Sequence, residues 1–247
     1  MNRQYIFSIL KGLLVVSFLG LMACSSSGSG SSNVANISLT GTLSDVDGAP
    51  VVATITAKKA SDDSVVSTTT SAADGSYTLA VLSGTEFYLT ASATNYVPSN
   101  TRIVSLTADE TGADIIIIDE TSAGQLANLI DGSADWSAAS SKSWVAFDFY
   151  YGSEDDGEGI TATNASSIVL LYNHCDGTFG AGPTPTPACV NRMGPMAMGN
   201  NTSDANIDFT VTGTGTNTAS TVNGGSKTIT MPLRVGEITY DDVWIDD

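Results

Sequence analysis

The sequence predicts an all-β protein made of two β-rich regions, and three observations carry that expectation. From Val34 onward the apolar residues fall in short runs that alternate with polar ones, the period of two that sends successive side chains to opposite faces of a strand. The runs are punctuated by Asp-Gly and Asn-Gly turn residues, and residues 34–118 show no spacing of 3.6. Apolar residues make up 42% of the chain and charged ones only 14%, with Thr, Ser and Gly abundant, a composition that fills a core and favours pleated surfaces over helices.

Residues 34–118 resolve into seven strands. Ile37, Leu39, Gly41 and Leu43 share one face of the first, Asp45-Val46-Asp47-Gly48 turns it, and Val51, Ala53, Ile55 and Ala57 mark the second. Further runs cover 65–71, 76–82 with Tyr77, Leu79 and Val81 inward, 86–93 with Phe87, Leu89 and Ala91 inward, 102–106 and 113–119. Seven strands in about 85 residues fit a sandwich. Residues 119–143 form a polar, Ala/Ser-rich connector with one or two helical turns around 125–130. A second region, 144–247, opens with Val145, Phe147, Phe149 and Tyr151 on one face and continues at 168–172, 207–211, 217–222, 228–233 and 238–245, with Asn223-Gly224-Gly225 as a hairpin turn. Its end parallels the end of the first region: a strand, a Val235-Gly236 turn and a last apolar run. It is either a degenerate sandwich of related fold with a long insertion at 173–203, or an unrelated β cap.

The residues between the first strands carry a resemblance. Gly41, the run Asp45 to Val51, Ala73-Asp74-Gly75-Ser76-Tyr77-Thr78-Leu79, Gly84 and Asn95-Tyr96-Val97-Pro98 resemble the carboxypeptidase regulatory-like domain with its transthyretin-like sandwich. Asn95 stands where the family carries Gly, and Asn also tolerates positive φ. The resemblance implies a fold over residues 34–118. Its signature marks tight turns and inward aromatic residues and no catalytic group, so it implies no enzyme. Some relatives in the wider group bind carbohydrate or form Lys–Asn isopeptide bonds; here the first strand lacks Lys and the last lacks Asn.

The first 24 residues set the expected compartment. Arg3 and Lys11 give a positive start, residues 12–21 a short apolar run, and Leu21-Met22-Ala23-Cys24 leads abruptly into Ser and Gly. The run is short for a spanning helix and reads as a cleaved export signal, residues 1–23. The four residues ending at Cys24 resemble the lipobox of bacterial lipoproteins, which implies a mature N-terminus at Cys24 carrying a thioether-linked diacylglycerol and a further acyl chain such as palmitate. At ~0.8 kcal/mol per buried CH₂, several chains hold a protein stably on a membrane. By the same resemblance, Ser25 after the cysteine favours the outer membrane of a Gram-negative cell, with the face left open. Residues 24–33 are then a lipidated Ser/Gly tether whose root-mean-square span is roughly 15–18 Å.

Charge excludes one class of partner. Nine basic residues stand against 26 acidic ones, a net charge of −17. Loss of residues 1–23 removes two bases and no acid and takes it to −19. No basic stripe is available to displace counterions from phosphates, so nucleic acid is not a partner. The acids concentrate in the C-terminal half: residues 119–247 carry 17 acids and four bases. The expected partners are the membrane, through the lipid, and an envelope protein or glycan.

Four features of the second region could carry chemistry. Glu154, Asp155, Asp156 and Glu158 offer oxygen ligands for Ca²⁺, or else form a solvated hairpin tip that keeps an edge soluble. Cys175 and Cys189 are the thiols left once Cys24 is lipidated, and export makes a disulfide their default state. His174 with Met193, Met196 and Met198 could present soft ligands to Cu(I), although methionines also fill irregular cores. Trp136, Trp144, Tyr150, Tyr151, Tyr172, Tyr240 and Trp244 could stack on sugar rings or pack inward. With one histidine, a catalytic triad or multi-histidine metal site would rest on His174 alone. The reading is a non-catalytic envelope lipoprotein that binds or assembles through its β domains and needs no cofactor. A carbohydrate-binding lipoprotein serving a partner enzyme, and a copper-binding protein, are the alternatives.

The cysteine argument gives a direct test. Purified without reductant, the mature protein is expected to show no free thiol to a thiol-reactive dye. The double change Cys175→Ser, Cys189→Ser should then lower the stability of the C-terminal region by ~3 kcal/mol, the chain-entropy value for a loop of this size. Two titratable thiols in the native protein would refute the pairing.

Overall fold

The computed structural model describes residues 35–150, 160–166, 168–173, 178–181, 196–213 and 226–244. Residues from Val34 onward form one compact unit. Among the described residues no helix is long and apolar enough to cross a membrane.

The N-terminal half contains β1 (Asn36–Asp45), β2 (Thr54–Lys59), β3 (Val65–Thr70), β4 (Ser76–Leu82), β5 (Glu86–Ser92) and the short β6 (Ser99–Asn100), β7 (Val104–Ser105), β8 (Glu110–Thr111) and β9 (Ile115–Ile117). β1 pairs antiparallel with β4, placing Leu39 opposite Leu79, and in parallel with β8 and β9. β2 lies between β3 and β5. The alternation read from the sequence is the alternation observed: Ile37, Leu39, Leu43, Ile55, Ala57, Tyr77, Leu79, Val81, Phe87 and Leu89 face one buried cluster, closed by Ile115 and Ile117. The long runs expected at 102–106 and 113–119 pair only at their centres. One reason is that the N–H of Ile103 bonds the carbonyl of Thr230 at 2.8 Å.

The turn chemistry holds residue by residue. Asp45 accepts from the N–H groups of Asp47 and Ala49, both at 2.9 Å, and Asn95 sits at φ +67°. Gly75 has φ +81°, and a Cβ there would lie 2.5 Å from the Leu43 carbonyl oxygen. Gly41 is required for a different reason: a Cβ would meet the Ala113 carbonyl, to which Tyr77 also donates its phenolic hydrogen.

The connector is more ordered than its composition suggested. It forms α1 (Glu120–Asp131) and α2 (Trp136–Ala139). Asp119 caps α1 by accepting from the N–H groups of Thr121 and Ser122, and Gly132 ends it in the left-handed conformation. The helix buries small residues, Ala123, Gly124 and Ala127, so its backbone approaches α2 closely. That packing, rather than a wide apolar stripe, holds it in place. Ala123, Ala127, Trp136 and Ala139 join Val97, Ile118, Trp144 and Ile238 in a second cluster.

The C-terminal half adds β10 (Ser143–Tyr150), β11 (Ile160–Asn164), β12 (Leu171–Asn173), β13 (Phe179–Gly180), β14 (Met196–Asn201), β15 (Ala205–Gly213), β16 (Ser226–Leu233) and β17 (Ile238–Trp244). Strands β11, β15 and β16 form a three-stranded sheet that faces β10 and its neighbours across a third cluster containing Val145, Phe147, Ile207, Phe209, Ile229, Met231 and Leu233. This is a second sandwich, and its closure echoes the first. In each half the last strand lies parallel to the first, β9 on β1 and β17 on β10. The expected insertion at 173–203 is not all loop, because β14 pairs with β10 along its length. The strand expected at 217–222 and the Asn223-Gly224-Gly225 turn lie outside the described residues.

One sheet runs through both halves. Its order is β13-β12-β14-β10-β17-β6-β5-β2-β3, with β7 also on β5. β17 is the strand of passage, parallel to β10 on one edge and to β6 on the other.

The two Asp-Gly turns yield a paired test. Gly75→Ala should cost about 2–4 kcal/mol, since strain at positive φ adds to collision with a backbone carbonyl, whereas Gly48→Ala, also at φ +81° but facing open space, should cost about 1–2 kcal/mol. Urea midpoints at constant slope check the order; equal losses would remove the contact from the explanation.

Candidate functional site

Polar side chains of the two halves meet along the line where the shared sheet passes from β5 and β6 to β17. The first joint centres on Asp63, in the β2–β3 turn at φ +57°. Its carboxylate accepts two bonds from Arg234, Nε to Oδ2 at 2.8 Å and Nη2 to Oδ1 at 2.5 Å, and a third from the Tyr88 hydroxyl at 2.9 Å. Arg234 follows β16 and is only 9% exposed. Its remaining donors reach the carbonyls of Ala205 and Leu233 and the side chain of Asn206, and its guanidinium stacks 5.3 Å from the Tyr88 ring centre. Asn206 in turn donates to the Ala60 carbonyl at 2.8 Å. Burial pushes the Asp63 carboxyl upward, but the bonds from Arg234 and Tyr88 outweigh it and hold the group below the usual carboxylate range. Burial and the bond to Asp63 push the Tyr88 phenol upward.

At the second joint Asn100, 1% exposed, accepts from the Thr90 hydroxyl at 2.7 Å and donates to Glu237 at 2.6 Å. At the third, Arg102 meets Asp241 of β17 in a single contact of 3.3 Å. Burial raises the Asp241 carboxyl; Arg102 opposes the rise, Asp242 adds to it, and the balance is a group pushed up to about 7. On the opposite face of β17 the Tyr240 hydroxyl donates to Asp242 at 2.8 Å and to Asp148 of β10 at 3.4 Å.

Apart from Tyr240, these groups were not singled out from the sequence. Asp63 and Arg234 are 171 positions apart, and each looks like an ordinary surface charge in its own segment. The one local signal is Arg234 itself, a charge set between Leu233 and Val235 at the end of an apolar run.

Of the residues the sequence did single out, Cys24, Glu154, Asp155, Asp156, Glu158, His174, Cys175, Cys189 and Met193 lie outside the described residues. Met196 contributes backbone to β14. Met198 is 1% exposed and packs with Trp144 and Ile238, the placement of a core-filling thioether. Three of the aromatic residues are likewise interior. Trp136 and Trp144 have ring centres 6.3 Å apart, and the Tyr172 hydroxyl accepts from the Ala162 N–H at 2.8 Å. Among the described residues no three His, Cys, Asp or Glu side chains are gathered as a metal site.

Residues 38–117 match the carboxypeptidase regulatory-like domain family. No curated protein matches the sequence. Among solved structures, a type II cohesin–X-dockerin complex from Acetivibrio cellulolyticus aligns at 16% identity over 39% of this chain and 63% of that one, TM-score 0.28. The chain thus spans less than two thirds of that relative's length. The major pilin subunit of Bacillus cereus aligns at 8% identity over 80% of this chain and 69% of that one, TM-score 0.29. A putative carbohydrate-binding protein from Bacteroides uniformis aligns at 11% identity over 80% of this chain and 99% of that one, TM-score 0.28. Likeness at this level is silent on function.

The Asp63–Arg234 joint should dominate the coupling between the halves. Arg234→Met is expected to cost about 2–4 kcal/mol, a range kept low because the Asp63 side chain is 41% exposed. Arg234→Lys should recover little, because one ammonium cannot span both carboxylate oxygens and the two carbonyls. A double-mutant cycle with Asp63→Asn by urea denaturation measures the coupling, and a value near zero would remove this joint from the stability of the fold.

Proposed function

We propose that the protein is an outer-membrane lipoprotein, held at Cys24, whose folded body is a non-catalytic binding or assembly module of the cell envelope. The observation that carries this reading is where the buried polar chemistry goes. Ser71 bonds the Val51 carbonyl, Thr90 bonds Asn100, Asn100 bonds Glu237, Thr239 bonds the Pro232 carbonyl, and Arg234 spends its donors on Asp63, Asn206 and two carbonyls. Each holds one segment of scaffold to another. Polar groups committed in this way rigidify a surface for binding and are not held in reserve for a substrate.

The match of residues 38–117 to a domain family whose recurrent motifs are turns supports the same reading. A Ser/Gly tether of about ten residues would keep the body within a few nanometres of the bilayer. The partner in this reading is an envelope protein or glycan, drawn to the C-terminal half, where 17 of the 26 acidic residues lie. No cofactor is needed for that role, and Ca²⁺ at Glu154, Asp155, Asp156 and Glu158 would serve only to order the acidic tip.

Expression in a Gram-negative host tests the anchor. The wild type should fractionate with the outer membrane and carry acyl chains on Cys24 by mass spectrometry, and Cys24→Ser should remain an unprocessed precursor. A Cys24→Ser protein trimmed to mature size would overturn the lipoprotein reading. Turnover of any ester, phosphoester, glycoside or peptide substrate by the purified body would overturn the non-catalytic one.

A further inference from the structure

On the face of β17 that carries Tyr240, the shared sheet and α1 leave a slot between them. Ala146 of β10, Met198 of β14 and Ile238 of β17 form its buried floor, and Val46, Leu126 and Tyr240 stand partly exposed at its mouth. Its volume is about 50 Å³. At the roughly 10–15 Å³ that one water requires, this is room for about four waters, or for the carbons of one branched aliphatic side chain. The walls are almost wholly apolar. Ser99 donates its hydroxyl to the Val97 carbonyl at 3.2 Å, and the Tyr240 hydroxyl donates to Asp242 at 2.8 Å. Water in such a slot finds too few partners, whereas an apolar group loses nothing by entering. Val46 is 52% exposed in a turn, between Asp45 and Asp47, where a polar residue would serve the fold as well.

The surroundings of the slot carry one sign of charge. Asp45 and Asp47 flank Val46 in sequence. The register of β10 on β17 sets Ala146 beside Tyr240 and, two residues further along the same face, Asp148 beside Asp242. Of the four bases in residues 119–247, Lys142 and Arg234 are tied to Asp131 and Asp63, which leaves Arg192 and Lys227 against sixteen other acids of that half. Whichever acids those two pair with, the region stays strongly negative.

We propose that this slot docks a cationic segment of a partner protein, one aliphatic side chain of the segment seated between Val46, Leu126 and Tyr240 and its lysines or arginines lying over the acids around the mouth. The proposal rests on the binding-module reading above and adds to it a surface and the chemistry of the partner. A second copy of this chain would bring the same excess of acid to the contact, and an anionic membrane surface the same sign, so charge disfavours both. In such a pairing the apolar anchor supplies most of the affinity, and the charges beside it set orientation and the rate of encounter.

Fluorescence anisotropy with the purified full-length protein tests this, using short labelled peptides of alternating glycine and lysine around a central leucine. Two control peptides replace the leucine by glycine, or the lysines by glutamates. The leucine peptide should bind about tenfold tighter than its glycine control, the ratio expected for burying one such side chain, and the glutamate peptide should not bind. Val46→Ser, at an exposed position, should cut the leucine advantage several-fold at an unchanged melting temperature. Ala146→Leu, which fills the slot from its floor, should abolish it. Equal affinity for the leucine and glycine peptides, or a leucine advantage that survives in these variants, overturns the docking site. Either result leaves the anchor and turnover tests of the broader reading standing, so the two can fail separately. Should Ala146→Leu fail to fold, Leu126→Asp at the mouth takes its place, with the same loss expected. Self-association of the protein that Val46→Ser abolishes would assign the slot to a second copy and overturn the proposal.

Discussion

Strand β17 is hydrogen-bonded on both edges, and both of its partners run parallel to it. A parallel strand cannot be reached by a tight turn, so each partner must arrive by a long route through the fold. From β10 the chain reaches β17 by way of β11 to β16, and from β6 by way of β7 to β9, both helices and β10 to β16. Until both are in place the amides of residues 238 and 239 have no sheet to enter, and the core around Val97, Trp144 and Ile238 has no wall. Backbone bonds also tie this strand and the turn leading into it to their neighbours: Ile238 donates to the Pro98 carbonyl, Trp144 to the Glu237 carbonyl and Gly236 to the Lys142 carbonyl. The halves are thus joined by backbone first, with side chains adding specificity.

The side-chain joints illustrate how differently two ion pairs can behave in one seam. Arg234 has lost its water, and its compensation is nearly complete, because five contacts satisfy its donors and a ring covers its face. Replacing such a pair with apolar side chains of the same volume could leave stability unchanged, but it would no longer fix the β2–β3 turn against β16 at one angle. The Asp241 contact is a single bond of 3.3 Å from a partly exposed arginine, a looser tie across the same seam.

Much of the N-terminal sandwich was legible because its information is local. Ile37, Leu39 and Gly41 alternate cleanly with Ser38 and Thr40, and Gly48, Gly75 and Asn95 announce backbone conformations that few residues adopt. Legibility failed where local chemistry is ambiguous. β11 reads Ile-Thr-Ala-Thr-Asn and β14 Met-Ala-Met-Gly-Asn-Asn, neither rich in the large β-branched or aromatic residues that signal a strand, and both are strands because of what lies beside them. α1 reads as connector because its buried face is Ala and Gly, whose contribution is close approach and not apolar area. The seam was invisible for a stricter reason. Asp63, Tyr88, Asn100, the pair Arg234 and Glu237, and Asp241 come from five separate segments, and nothing in one segment encodes the position of another.

The parallel closure of each half, with its last strand beside its first, has a mechanical consequence. A chain fixed to a membrane at one end and to a partner at the other is pulled along its strands. When the loaded ends belong to adjacent parallel strands, the pull is in shear: the bonds between them lie across the force and must yield together instead of unzipping one at a time. The β10–β17 pair registers seven residues against three for β1–β9, so a pull applied across those two pairs would meet more bonds in the C-terminal half.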